Sequence, residues 1–305
     1  MGKKVRKTFV KAWNYKWIYL MLLPVVVYFV IFKYVPMYGI TIAFKDYNIF
    51  KGMFESPWVG LDVFEKIFAN KNFWSAIKNT FILNLSSLAV SFPLTIIVSL
   101  MLNELGSAKF KKVTQSILYL PHFVSWVVVA GIATNMFALQ DGTINAILER
   151  LGVEPVPFLS DNGWWIFTYI VCNVWKEIGW GTIIYLAALS SVDVQLYEAA
   201  KIDGAGRWQL MWHVTLPAIR GTIVLMLIMK VGQLLNTSYE QIFLMQNSMN
   251  RAASDVFDTY VYTKGITGGQ YSLATATGLF KSTISMLMVV TANKIAKLFG
   301  ESGLY

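Results

Sequence analysis

The sequence predicts an all-α membrane protein of six transmembrane helices, and three observations carry that prediction. Hydrophobic residues make up 56% of the 305 and charged residues only 14%, a balance too apolar for a soluble domain of this size. The apolar residues fall in runs of about twenty, the length that crosses a bilayer as a helix. Lys and Arg sit at the ends of those runs rather than along one polar face, so the net charge of +9 reads as membrane topology and not as a nucleic-acid surface.

In chain order, a basic segment with Lys3, Lys4, Arg6, Lys7, Lys11 and Lys16 precedes the first run, at about 17–35. That run is too long for the apolar part of a cleaved signal, and no small-x-small site follows it, so an anchored first helix is expected. Further spans are expected at about 73–102, 116–139, 164–189, 221–245 and 272–293. Pro24, Pro93 and Pro121 lie within these runs, where neighbouring helices can satisfy the freed carbonyls and a kink replaces a helix end. The intervening loops on one side carry turn formers and aromatics, such as Ser56-Pro57-Trp58 and Pro155-Val156-Pro157-Phe158, and are expected to hold short interfacial or re-entrant elements. No internal repeat or low-complexity linker divides the chain, so it reads as one membrane domain.

Orientation follows from the basic residues. The N-terminal segment, the loop with Lys109, Lys111 and Lys112, the loop with Lys201, Arg207 and Arg220, and the tail with Lys294 and Lys297 hold fourteen Lys and Arg. The opposite loops hold seven, Lys45, Lys51, Lys66, Lys71, Arg150, Arg251 and Lys264, beside ten acids. Both termini are therefore expected in the cytoplasm. Cys172, the one cysteine, lies in an apolar run and reads as a packing residue without disulfide or thiolate chemistry. His122 and His213 lack a ligand set for a metal, and His213 reads as a contact or surface residue. No phosphate-binding G-x-x-x-x-G-K-[S/T] loop occurs, so any ATP-driven work needs a separate ATPase.

The segment between the fourth and fifth spans, 196–217, is long for a connector. Glu198, Ala199, Ala200 and Lys201 favour a short helix, Gly204 and Gly206 would end it or turn the chain sharply, and a second helical stretch begins near Trp208. Glu198-Ala199-Ala200, Asp203-Gly204-Ala205 and Leu216-Pro217 together resemble the signature of binding-protein-dependent permeases of ATP-binding-cassette importers. The resemblance implies the six-helix type I importer permease, or MetI-like, fold. It also implies that this loop forms a coupling helix seated in a cleft of a cytoplasmic ATPase, where a short stiff lever passes nucleotide-driven closure to the membrane. Ala199, Ala200 and Gly204 would allow close approach, and Glu198 and Asp203 would make polar contacts or fix the loop. The stretches 32–39, 44–47, 119–126 and 257–262 and the terminal Gly-Leu-Tyr resemble permeases of the oligosaccharide-uptake branch, including those used for complex or acidic polysaccharide fragments.

Polar residues inside the spans mark a candidate pathway. Lys176 and Glu177 lie mid-span, where each unpaired charge costs about 2.5–3.5 kcal/mol, and Asn173, Lys176, Glu177 and Trp180 share one face. On a continuous fifth helix, Lys230, Gln233, Asn236, Thr237 and Glu240 would fall within an arc of roughly 120°. Such stripes suit a wet cavity for sugar hydroxyls, with Trp175, Trp180 and Tyr239 as flat faces for pyranose rings and Lys281 joining from the sixth span. The structural alternative is an ion pair of Lys176 with Glu177 or Glu240 that holds helices together.

The expected organisation is a basic cytoplasmic tail (1–16), a permease domain (17–297) with its coupling loop at about 190–220, and a cytoplasmic tail (298–305). The resemblance implies a bacterial plasma-membrane subunit that imports an oligosaccharide by alternating access and does no chemistry on it. Implied partners are a second homologous permease, two ATPase subunits that carry ATP and Mg, and an extracellular solute-binding protein. No cofactor is expected on this chain. An ion-coupled secondary sugar transporter, using the buried Lys and Glu residues as ion sites, is the alternative.

Overall fold

The computed structural model describes residues 15–301, 303 and 304; the basic segment up to Lys11 and Tyr305 lie outside the described residues. Helix α1 (Lys16–Phe44) outlasts the first apolar run by continuing through a wide turn at Val30–Tyr34 and a tight one at Tyr38–Phe44. A short helix α2 (Asp62–Ala69) leads into α3 (Lys71–Asn103), whose first turn is capped by the Asn70 side chain accepting from the Asn72 N–H at 2.9 Å. Then follow α4 (Ala108–Phe123), α5 (Trp126–Phe137), α6 (Thr143–Arg150) and α7 (Asn162–Ser190). The chain continues with α8 (Val194–Ile202), α9 (Arg207–Ala218), α10 (Arg220–Gly232), α11 (Tyr239–Met245), α12 (Phe257–Tyr260) and α13 (Tyr271–Leu298). Among the described residues there is no strand, only an isolated bridge between Lys45 and Trp58.

By length and apolarity, α1, α3 and α13 can each cross a membrane, and the pairs α4–α5 and α9–α10 qualify as bent spans, with angles of 97° and 61°. Helix α7, with 29 residues, is about 43 Å long and can also cross, but Asn173, Lys176, Glu177 and several Trp residues make it less apolar. Pro24 and Pro93 lie inside continuous helices.

Two expected spans are broken. The third, expected unbroken over 116–139, ends a helix just after Pro121, passes through extended backbone at Val124 and Ser125, and restarts with the Ser125 hydroxyl accepting from the Val128 N–H. The fifth, expected over 221–245, stops at Gly232 and resumes only at Tyr239. Gly232 lies hard against Val289 of α13, and the polar run Gln233 to Ser238 forms turns instead of a helix. The continuous 120° face therefore does not exist, although its first residues still converge.

Three apolar clusters follow α3 from its N-terminal to its C-terminal end. Phe73 packs with Ile67, Phe257 and Tyr260; Leu83 with Trp165, Tyr169, Ile242 and Val256; Leu100 with Leu189 and Ile219. Cys172 is buried beside Val129, Ala133 and Phe158 as a packing residue. Helix α7 packs along α3 and also meets α4 backbone to backbone, because Gly179 has no side chain: a Cβ there would run into the Leu118 carbonyl. Gly179→Ala is thus expected to destabilise the protein by about 1–3 kcal/mol through overpacking. A lowered melting temperature of the detergent-solubilised protein is the measurement, and an unchanged one would remove this contact from the account.

Candidate transport cavity and coupling loop

A cavity of about 320 Å³ opens between α3, α7 and the broken fifth span, at the lower end of the range for small-ligand pockets. Asn84, Ser87, Ser91 and Thr95 of α3 enter it at three- and four-residue spacing, one face of the helix. Opposite stand Tyr169, Asn173, Glu177 and Tyr185 of α7, and Lys230, Gln233, Asn236 and Thr237 close the third side. The walls share hydrogen bonds. Ser87 Oγ donates to Asn173 Oδ1 at 3.3 Å, Asn173 Nδ2 to Gln241 Oε1 at 3.3 Å, and Gln241 Nε2 to the Tyr169 carbonyl at 2.9 Å.

Breaking a helix at membrane depth frees backbone groups that lipid cannot satisfy. At the fifth-span break, Asn84 Nδ2 reaches across from α3 to the Leu234 carbonyl at 2.7 Å. Asp258 Oδ2 accepts from the Thr237 N–H at 3.2 Å and from its hydroxyl at 2.8 Å, while Asp258 Oδ1 pairs with Lys281 Nζ at 2.5 Å. Lys281, expected on the pathway, therefore anchors the break through Asp258 and does not line the cavity.

Lys176 serves the other break. Its side chain is 7% exposed, and its ammonium donates to the carbonyls of His122 at 2.5 Å and Val124 at 2.8 Å, where α4 ends without helical partners. The neighbouring Glu177 accepts from or pairs with His122 Nδ1 at 2.9 Å and lies 3.9 Å from Lys176 Nζ. Trp180 stacks on the His122 ring at 4.4 Å. Lys176 and Trp180 thus hold the 97° bend and stay out of the cavity wall. Of the other expected pathway residues, Asn173, Glu177, Lys230, Gln233 and Asn236 come together at the cavity; Trp175, Tyr239 and Glu240 do not. Tyr239 stacks instead on Phe243, at 5.5 Å.

Two charged side chains line the cavity, Glu177 and Lys230. Glu177 is engaged; Lys230 has no side-chain partner among the described residues. Among the described residues, the cavity consequently presents one free cation, Lys230, amid amides and hydroxyls.

The loop after α7 is a short helix closed at both ends. Asp193 caps α8 by accepting from the Gln195 N–H at 2.9 Å. At the other end Gly204 takes φ +84°, a conformation that side chains resist. This geometry lets the Gly204 N–H reach the Lys201 carbonyl and the Ala205 N–H the Ala200 carbonyl, each at 3.0 Å, the pair of bonds that closes a helix C-terminus. Glu198, Ala199 and Asp203 are exposed, Ala200 is half-buried, and Ile202 is 87% exposed at the helix end. Tyr197 Oη bonds Thr215 Oγ1 at 3.1 Å, fastening α8 to α9. Leu216 and Pro217 form the last turn of α9, just before the bend at Ile219, which is buried against Leu100 and Leu189. The Arg220 guanidinium beyond the bend is paired with Glu301 at 2.5 Å.

Sequence reasoning missed Asn84, Ser87, Ser91 and Thr95, because single small polar residues in an apolar helix carry little periodic signal. It also left His122 without a partner, since Glu177 is 55 positions away.

The family described as binding-protein-dependent transport system inner membrane component matches residues 67–300. Protein LplB of Bacillus subtilis (strain 168) is 48% identical over 95% of this chain and 91% of its own length. The polygalacturonan/rhamnogalacturonan transport system permease protein YteP of the same strain is 46% identical over 99% of this chain and 94% of its own. Among solved structures, a bacterial ABC transporter involved in import of the acidic polysaccharide alginate contains a chain with TM-score 0.88 and 38% identity, covering 95% of this chain and 98% of that one. The alginate transporter in complex with a periplasmic protein bound to alginate pentasaccharide gives TM-score 0.89 and 37% identity, covering 97% and 99%.

The buried Lys176 and the exposed, cavity-lining Lys230 should separate experimentally. Lys176→Met leaves the His122 and Val124 carbonyls without their donor, which is expected to cost about 2–3 kcal/mol and to lower the melting temperature of the solubilised protein clearly. Lys230→Met removes a side chain with no partner and should leave that temperature unchanged; equal losses in the two variants would contradict the assignment.

Proposed function

The chain belongs to the binding-protein-dependent transport system inner membrane component family, and from that premise we propose that it imports an acidic oligosaccharide. It is a sugar importer permease with the MetI-like fold. In the proposed assembly it pairs with a second, homologous permease around one pathway, above two ATPase subunits that bind ATP and Mg. An external solute-binding protein hands over the sugar. Both termini face the cytoplasm, as the asymmetry of Lys and Arg favours. The three-part division holds in this reading, with tails 1–16 and 298–305 flanking the permease domain and its coupling loop.

The mechanism follows from the connection between loop and cavity. Helix α8, capped at both ends and exposed, fits a groove in the ATPase, with Ala199, Ala200 and Gly204 allowing close approach and Glu198 and Asp203 free for polar contacts. Closure of the ATPase pair pushes α8; the Tyr197–Thr215 bond carries the push to α9, and the bend at Ile219 passes it to α10. Lys230 and the Gly232 break lie on that helix and its end, so the cavity wall moves with the lever. Alternating access results, with ATP binding opening the cavity outward and hydrolysis resetting it.

The observation that carries the acidic substrate is the unpartnered Lys230 in the cavity. An ammonium on the cavity wall binds a uronate carboxylate by a charge-assisted hydrogen bond, while Asn84, Asn173, Gln233 and Asn236 offer donors and acceptors to sugar hydroxyls. The alginate importer with a similar permease chain carries an acidic polysaccharide. Nothing in the cavity favours the ion-coupled alternative, which would leave the stiff exposed α8 without a role.

The test is ATP hydrolysis by the assembled transporter with its binding protein, across a panel of acidic and neutral oligosaccharides. Acidic oligosaccharides should stimulate it, and Lys230→Met should weaken the apparent affinity for them about tenfold, the worth of one hydrogen bond to a charged group. Gly204→Glu, which strains the α8 cap and thickens its tip, should abolish transport. Stimulation confined to neutral glycans would overturn the substrate; transport unaffected by Gly204→Glu would overturn the lever.

A further inference from the structure

The cavity that offers Lys230 to an anion also contains a carboxylate, Glu177, and a free carboxylate would either repel a uronate or neutralise the lysine. Its surroundings prevent both. Glu177 Oε2 lies 2.9 Å from His122 Nδ1, and Oε1 lies 3.9 Å from Lys176 Nζ. The His122 ring stands outside the cavity lining and is fixed face to face on Trp180, with 5° between the planes. Lys176 is fixed in turn by two carbonyl acceptors and lies 5.4 Å from the centre of the Trp126 ring. Every member of the cluster is thus held by something other than Glu177, so the carboxylate is the element being positioned.

We propose that His122 is a specificity-determining positioning residue, drawing the Glu177 carboxylate to the wall and, with Lys176, masking its charge so that the cavity selects anionic sugars. This inference rests on the acidic-substrate reading above. Even at the effective dielectric of a protein surface, a unit charge about 4 Å from a bound carboxylate acts on it by several times the thermal energy, so the selectivity of the cavity depends on which of its two ionic side chains is left unmatched. The pairing leaves Lys230. Losing the His122 bond would release Oε2 toward the cavity and reverse the balance without altering any residue that touches the sugar.

The test uses the assembled transporter and the apparent affinity with which an acidic oligosaccharide, such as a galacturonate or alginate oligomer, stimulates its ATPase. His122→Phe keeps a flat ring over Trp180 but removes the nitrogen, and should weaken that affinity about tenfold, the worth of one hydrogen bond to a charged group. His122→Asn restores a donor near the Nδ1 position and should recover most of it. The double variant His122→Phe with Glu177→Gln should also recover, because an amide needs no masking; a merely structural role for His122 would show no such rescue. Unchanged affinity in His122→Phe, or a loss that Glu177→Gln fails to rescue, would overturn the proposal while the wild type still prefers acidic sugars. A wild type that responds only to neutral sugars would overturn the substrate reading and this inference together.

Discussion

A helix that breaks inside a membrane must have its freed backbone groups bonded by the protein itself, because lipid offers no hydrogen bonds. That constraint organises this chain. The α4–α5 bend is held by Lys176 and the α10–α11 break by Asn84 and Asp258. Each of these side chains crosses from another helix, so the interruptions are also the points where the bundle is tied together. The polar cavity lies beside one of these breaks: the turns after Gly232 add Gln233, Asn236 and Thr237 to the polar faces that the unbroken α3 and α7 present.

The same breaks allow movement. An unbroken fifth span would have to tilt as a rod, whereas α9, α10 and α11 are joined by a 61° bend and a non-helical segment, which can absorb rotation locally. In the proposed mechanism, the α8 loop stands at one end of this series as the coupling element and the cavity wall at the other. Between them, Ile219 is buried on Leu100 and Leu189, which would serve the proposed lever as a fulcrum, and the Arg220 side chain pairs with Glu301 beyond α13. The proposed lever needs both a stiff α8 and a compliant segment after Gly232.

What the sequence disclosed tracks the range of the interactions involved. The α8 helix and its end were legible because their determinants are local: helix-forming Glu198 to Lys201 and then Gly204, within a few residues of one another. Apolar runs likewise placed the spans to within a few positions for α3 and α7. The breaks were not legible, since a run such as 221–245 is apolar enough to read as one helix, and the groups that stabilise its interruption lie far away, Asn84 being 150 positions from Leu234. The run Gln233-Leu-Leu-Asn-Thr-Ser238 inside the span was the available signal. Charges within the spans were ambiguous for the same reason: Lys176 and Lys281 read as pathway residues in the sequence, whereas the structure gives them carbonyl and carboxylate partners and leaves Lys230 without one among the described residues.

The segment after Gly232 lines the cavity, and in the proposed mechanism its exposure is set by nucleotide on the ATPases that hold the distant α8 loop. A single cysteine at Gln233, in a chain whose Cys172 is replaced by Ser, reports this directly through labelling by a membrane-impermeant thiol reagent added outside sealed vesicles of the assembled transporter. The account predicts slow labelling without nucleotide, fast labelling when ATP is trapped on the ATPases, and protection by the transported oligosaccharide. A labelling rate indifferent to nucleotide and to sugar would contradict it.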